Sequence, residues 1–152
     1  MAEKRIDIDE MFFGMLGFVA ERSTCTRADV GAILVRDRRP ISMGYNGAPP
    51  GMPHCLDVGC EQDHATSHDG FDIPIQGCAR TVHAEANAIA FAARNGIATE
   101  GATMYCTHAP CYSCAKLTVS AGVIEFKYQI DYRDERGLNL LADAGVLVKK
   151  HV

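Results

Sequence analysis

The sequence predicts an α/β fold, a mixed sheet flanked by helices, and three features carry that expectation. A segment near the N-terminus repeats its apolar residues at helical spacing. Two short β-like runs follow it across a charged turn, and from residue 81 onward helical and extended segments alternate. Such alternation implies parallel strands joined by right-handed crossovers, so the first half should build a hairpin and the second a parallel ladder. With 152 residues and 47% hydrophobic composition, the chain is long enough to close one core, and a single domain over residues 1–152 is expected.

Taken in order, Asp7 or Asp9 can cap a first helix in which Met11, Phe12, Met15, Leu16 and Val19 share a face as far as about Arg22. Residues 30–36 and 40–45 read as strands, with Asp37, Arg38 and Arg39 as the turn, and Gly44-Tyr45-Asn46-Gly47 ends the second. From 48 to 77 the composition changes to Pro, Gly, Asp, Cys and His with almost no apolar period. A loop of that length inside a compact domain is functional, disordered or held by something other than a core. Thr81 can cap a helix that runs to Asn95, where Gly96 supplies a stop. A strand at 103–106, a helix at 111–121 ended by Gly122, a strand at 123–130, a helix at 135–144 and a strand at 146–149 complete five strands.

Charge and cysteine content narrow the chemistry. The formal net charge is −4, with both signs interspersed and no basic stripe, which argues against a nucleic-acid polymer as substrate. No run approaches the ~18 apolar residues of a membrane span, and Glu3, Lys4 and Arg5 open the chain without a signal-peptide pattern. A soluble, cytoplasmic protein with no membrane partner is expected. Seven cysteines, an odd count without a secretory signal, read as metal-binding thiolates, and zinc (Zn2+) is the leading cofactor.

His83-Ala84-Glu85 opens one predicted helix, and Pro110-Cys111-Tyr112-Ser113-Cys114 opens the next. Cys111 and Cys114, three apart in a first helical turn, can both reach one metal, and His83 from a neighbouring helix start gives three protein ligands. Three ligands leave the fourth position for water, as in catalytic zinc sites, and the helix dipole favours the thiolates. Glu85 is placed to take a proton from that water. It lies two residues from His83, about 200° around an ideal helix, so the arrangement works only if the metal sits over the helix end. The bland reading makes these core cysteines, a surface glutamate and a satisfied histidine.

This H-x-E and P-C-x-x-C combination is the signature of zinc-dependent nucleobase deaminases, and at these residues the chain resembles the deoxycytidylate (dCMP) deaminases. The likeness runs from Phe12 to about Val148. It includes Arg22-Ser23-Thr24-Cys25-Thr26-Arg27, Gly44-Tyr45-Asn46-Gly47, Arg80-Thr81-Val82-His83-Ala84-Glu85 and Pro110-Cys111 through Cys114-Ala115-Lys116. The resemblance implies a cytidine-deaminase-like three-layer α/β/α fold with a central mixed five-stranded sheet. It implies hydrolysis of dCMP to dUMP and ammonia, feeding thymidylate synthesis, in a hexamer activated by dCTP and inhibited by dTTP. By the same likeness Asn46 contacts substrate, Arg27 is a candidate for the 5′-phosphate or else a solvated surface arginine, and Tyr132 lines the nucleotide site or belongs to the core. Arg94 resembles a residue tied to effector response.

Cys25, Cys55, Cys60 and Cys78 are not needed by the catalytic centre, and three of them lie in or just after the unpatterned segment. Some bacterial and phage members of the resembled family bind a second, structural zinc through this region. Four thiolates around a metal would replace the missing core of a zinc-stabilised loop at about 48–78. His64 or His68 could replace one cysteine, with His54 a further alternative, while Cys106 is expected in the core. Two other function classes stay open. One is a deaminase of another base (tRNA adenosine, free cytosine, guanine or a riboflavin precursor), the other a non-catalytic zinc-binding module, which would need no Glu85 beside an open coordination position.

Overall fold

The structure, a computed structural model, describes residues 5–61 and 78–152. Helix α1 (Ile8–Ala20) is capped by Asp7, whose carboxylate accepts the Asp9 N–H at 2.9 Å while Glu10 accepts the Asp7 N–H at 3.2 Å. This reciprocal box satisfies two donors that a bare helix start would leave orphaned. Asp9 is thereby free for a longer-range role: it accepts from the Tyr105 hydroxyl at 2.5 Å and from the Lys127 ammonium at 2.8 and 2.9 Å.

Strands β1 (Gly31–Arg36) and β2 (Arg39–Tyr45) form the expected hairpin. Arg39 pairs with Arg36, so the turn is two residues and not three; Asp37 and Arg38 have φ of 51° and 61°. Both-positive φ is the backbone whose twist matches the flanking strands. A short helix α2 (Cys55–Val58) interrupts the segment read as lacking regular structure. Helix α3 (Ala84–Arg94) is capped by His83, and Thr81 does not cap it. Val82 exchanges backbone hydrogen bonds with Gly47 at 2.8 and 3.1 Å, which holds the chain extended until His83. The remaining elements are β3 (Thr103–His108), α4 (Tyr112–Ser120), β4 (Glu125–Ile130), α5 (Arg136–Asp143) and β5 (Leu147–Lys150).

The five strands lie in the order β2-β1-β3-β4-β5, with β1 antiparallel to both neighbours and β3, β4 and β5 parallel. Side chains alternate across the sheet as strand geometry requires. Ala32, Leu34, Met104, Cys106, Phe126 and Tyr128 meet Ala84, Ala88, Ala115 and Leu141 of α3, α4 and α5 on one face. Ile33, Val35 and Tyr105 meet Phe12, Phe13 and Leu16 of α1 on the other. The result is the expected three-layer α/β/α arrangement. Because β1 runs against β3, its amino end lies beside the carboxyl ends of β3 and β4, and ligands of open α/β sheets bind outside such carboxyl ends. At Gly44 on β2 an added Cβ would overlap the Ala84 carbonyl oxygen and the Ala88 amide, so α3 rides directly on the strand backbone. No helix among the described residues is long and apolar enough to cross a membrane.

Candidate active site

Two helix starts meet at this end of the sheet. His83 is the N-cap of α3, and Cys111 is the N-cap of α4, its sulfur accepting the Cys114 N–H at 3.4 Å. Placing His83 at the cap and Glu85 in the first turn resolves the angular problem that their spacing poses, because the metal position lies over the helix end. His83 Nδ1 is 3.4 Å from both Cys111 Sγ and Cys114 Sγ, and all three ligand atoms lie within 4.8 Å of one another. Tetrahedral zinc, with bonds of about 2.3 Å to sulfur and 2.0–2.1 Å to nitrogen, sets ligand atoms roughly 3.5 Å apart. These residues therefore fit zinc in both chemistry and spacing.

The charges of the cluster are coupled. The bond to Cys111 raises the His83 pKa to about 9, and the Cys111 thiol, hydrogen-bonded by Cys114 and His83, is lowered to about 4. The same bond to Cys111 holds Cys114 well above the usual thiol range. Glu85 is buried at 4% exposure, and desolvation pushes its carboxyl up. Cys106, fully buried on β3 as expected of a core residue, also sets its thiol against the Glu85 carboxyl, a contact its strand position did not suggest.

A cavity of about 290 Å3, at the small end of ligand sites, brings most of the predicted residues together. His83, Glu85, Cys111, Asn46, Arg27 and Tyr132 all line it. Asn46 is buried, with Oδ1 accepting the Val30 N–H at 2.9 Å and Nδ2 donating to the Ala28 carbonyl at 2.8 Å. Its amide thus shapes the 28–30 loop while one N–H and one lone pair remain for a ligand. The cavity wall also includes His108 and Arg133, neither of which was singled out in the sequence. Arg94 is not part of it. It lies in the last turn of α3, roughly 16 Å along the helix from the metal end.

The second cysteine set gathers near the same cavity. Cys55 Sγ is 3.5 Å from Cys78 Sγ, the Cys60 thiol bonds Cys78, and Cys25 lies near enough to Cys55 to raise its pKa. Burial pushes Cys78 up, but hydrogen bonds from Thr81 and the Arg80 and Glu61 amides outweigh it and leave the thiol at about 6. Among the described residues only His83, Cys111 and Cys114 bring three ligand atoms within 4.8 Å of one another, so the four-cysteine set is less tightly assembled. His54 is the N-cap of α2 without a side-chain capping bond, and His64 and His68 lie outside the described residues.

An open three-ligand metal site backed by a buried carboxylate defines a hydrolytic metal centre. A family model of the cytidine and deoxycytidylate deaminase zinc-binding region matches residues 7–130. The chain belongs to the cytidine and deoxycytidylate deaminase family. It is 40% identical over 150 residues to ComE operon protein 2 of Bacillus subtilis, covering 97% of this chain and 72% of that protein. It is also 40% identical over 126 residues to the deoxycytidylate deaminase of Mycobacterium phage D29, covering 82% of this chain and 95% of the phage protein. The dCMP deaminase of cyanophage S-TIM5, solved in complex with dCMP and dUMP, superposes with a TM-score of 0.78 at 31% identity, covering 98% of this chain and all of that one.

Proposed function

We propose that this chain catalyses the hydrolytic deamination of dCMP to dUMP and ammonia. The observation that carries the reading is the juxtaposition, in one cavity, of the His83-Cys111-Cys114 cluster, buried Glu85, Asn46 and an arginine side chain suited to a phosphate. Zinc held by the three ligands would supply a Lewis acid that makes water nucleophilic at neutral pH. Glu85 takes one proton from the water as it adds to the amino-bearing ring carbon and delivers it to the ring nitrogen; it then takes the proton of the new hydroxyl and hands it to the amino group, which leaves as ammonia as the C–N bond breaks and the carbonyl forms. Its burial favours this work, because desolvation raises the carboxyl above the usual carboxylate range and so makes it a better proton acceptor. Asn46 and Tyr132 orient the nucleoside, and Arg27 faces its phosphate.

The resemblance further supports a cytoplasmic hexamer governed by dCTP and dTTP through a site that includes Arg94, and a second, structural zinc on Cys25, Cys55, Cys60 and Cys78. A panel of cytidine, deoxycytidine, CMP, dCMP, adenosine and guanine followed by ultraviolet absorbance, with and without dCTP, tests the assignment. Efficient loss of the amino group from dCMP alone is expected, and turnover of none of them by fully metallated protein would favour a non-catalytic zinc module. Elemental analysis should find two zinc ions per chain and about one after Cys60→Ser. A single ion in fully metallated wild type would remove the second site.

A further inference from the structure

Cys106 sits on the central strand β3, paired with Ala32 of β1 and Tyr128 of β4, and its side chain is fully buried on the face that α3 covers. Small residues bring the helix close there. Ala32 lies beside Cys106, and Ala84 and Ala88, which precede and follow Glu85 along α3, belong to the same apolar cluster. A carboxylate at the edge of such a cluster needs hydrogen-bond donors, because burying it without partners is costly. Glu85, itself buried, accepts from its own amide and from the Cys114 thiol, and the Cys106 thiol bonds it from β3.

These donors are not equivalent. As a metal ligand Cys114 binds through its thiolate, which has no proton to give and repels a carboxylate. Cys106 lies outside the ligand set, and desolvation together with the facing Glu85 charge holds its thiol well above the usual range, so its S–H persists. One S–H occupies one carboxylate oxygen and leaves the other for the cavity that Glu85 lines.

We propose that Cys106 is a positioning residue for the reaction, its thiol donating to the Glu85 carboxylate and fixing the direction from which that carboxylate exchanges protons with substrate. The inference rests on the deamination reading above and deepens it. A buried cysteine is otherwise a small apolar residue, and packing alone would make other small side chains equivalent to it. Donation instead singles out side chains that carry a proton on the γ atom.

The test compares kcat and KM for dCMP, with denaturant melts, in zinc-loaded wild type, Cys106→Ala and Cys106→Ser. Cys106→Ala should lower kcat roughly 3- to 10-fold with KM nearly unchanged, the effect of one modest hydrogen bond made to the proton carrier and not to substrate. Cys106→Ser keeps a donor on the γ atom and should recover much of that loss, although a hydroxyl packs into an apolar core no better than a methyl group. A packing role predicts the opposite order, so a Ser variant no more active than the Ala variant overturns the inference. Infrared spectra give a readout that needs no substrate. The S–H stretching band that disappears in Cys106→Ala should shift upward in Glu85→Gln, because an amide oxygen accepts more weakly than a carboxylate. An unshifted band in active protein overturns the inference alone, whereas fully metallated wild type that deaminates no nucleotide overturns the deamination reading and takes this inference with it.

Discussion

Glu85 shows what a single residue reveals through its neighbours. Its spacing from His83 made sense only if the metal lay over a helix end, and His83 occupies that cap. Burial raises the carboxyl, which suits a proton carrier and would be wasteful in a residue with only a packing role. Glu85→Gln should therefore keep its zinc, measured by elemental analysis, while turnover falls at least ~10²-fold. Near-wild-type turnover in the metallated variant would exclude the role. The ligands were legible because metal chemistry demands particular residue types at fixed spacing. Arg133 was not, because the run Asp131-Tyr132-Arg133-Asp134-Glu135-Arg136 offers several equivalent charge pairings, and only the fold shows that Arg136 takes Asp134. The thiol of Cys106 is a similar case: strand position announced burial, but contact with Glu85 depends on how α3 lies against β3.

Elements were readable wherever the signal is local. Five strands and the helices between them follow from periodicity and stop residues, and most boundaries move by one or two positions. The two-residue delay in the start of α3 has a non-local cause: the bridge between Val82 and Gly47 competes with helix formation and wins. Short α2 was hidden because four residues carry no period to detect. The seating of α3 on β2 yields a prediction at this scale. Gly44→Ala should push α3 off the strand, costing about 1–3 kcal/mol of stability and misplacing His83 and Glu85. Gly14→Ala in α1, where an added Cβ meets nothing within 4 Å, should instead be neutral or stabilising by up to ~1 kcal/mol. Denaturant melts with zinc titrations of both variants test this; equal stability and zinc affinity in Gly44→Ala would show that α3 can shift without consequence.

Across the whole molecule, α1 is joined to β3 and β4 by an ion pair and a hydrogen bond as well as by its apolar face. Asp9 meets Lys127 on β4 and Tyr105 on β3, with the Lys127 and Asp9 side chains only 12% and 26% exposed. Burial alone would push the Asp9 carboxyl up, but the hydrogen bonds from Lys127 and Tyr105 outweigh it, and the net shift is downward from 3.8. A carboxyl lowered by folding binds its proton more weakly in the native state than in the unfolded chain. Its contribution is complete above the unfolded value near 4 and is lost as pH falls through the lower native value. Asp9→Asn removes the charge and leaves the Lys127 ammonium, which also reaches Glu125 at 3.6 Å, without its nearest partner. The variant should be less stable than wild type by about 1.5–3 kcal/mol at pH 7, the range for a hydrogen bond to a charged group. The deficit should shrink as the wild-type carboxylate itself becomes protonated. Urea melts of both proteins at pH 7, 5 and 3 provide the measurement, and a deficit of the same size at pH 3 as at pH 7 would show that Asp9 acts through shape and not through charge.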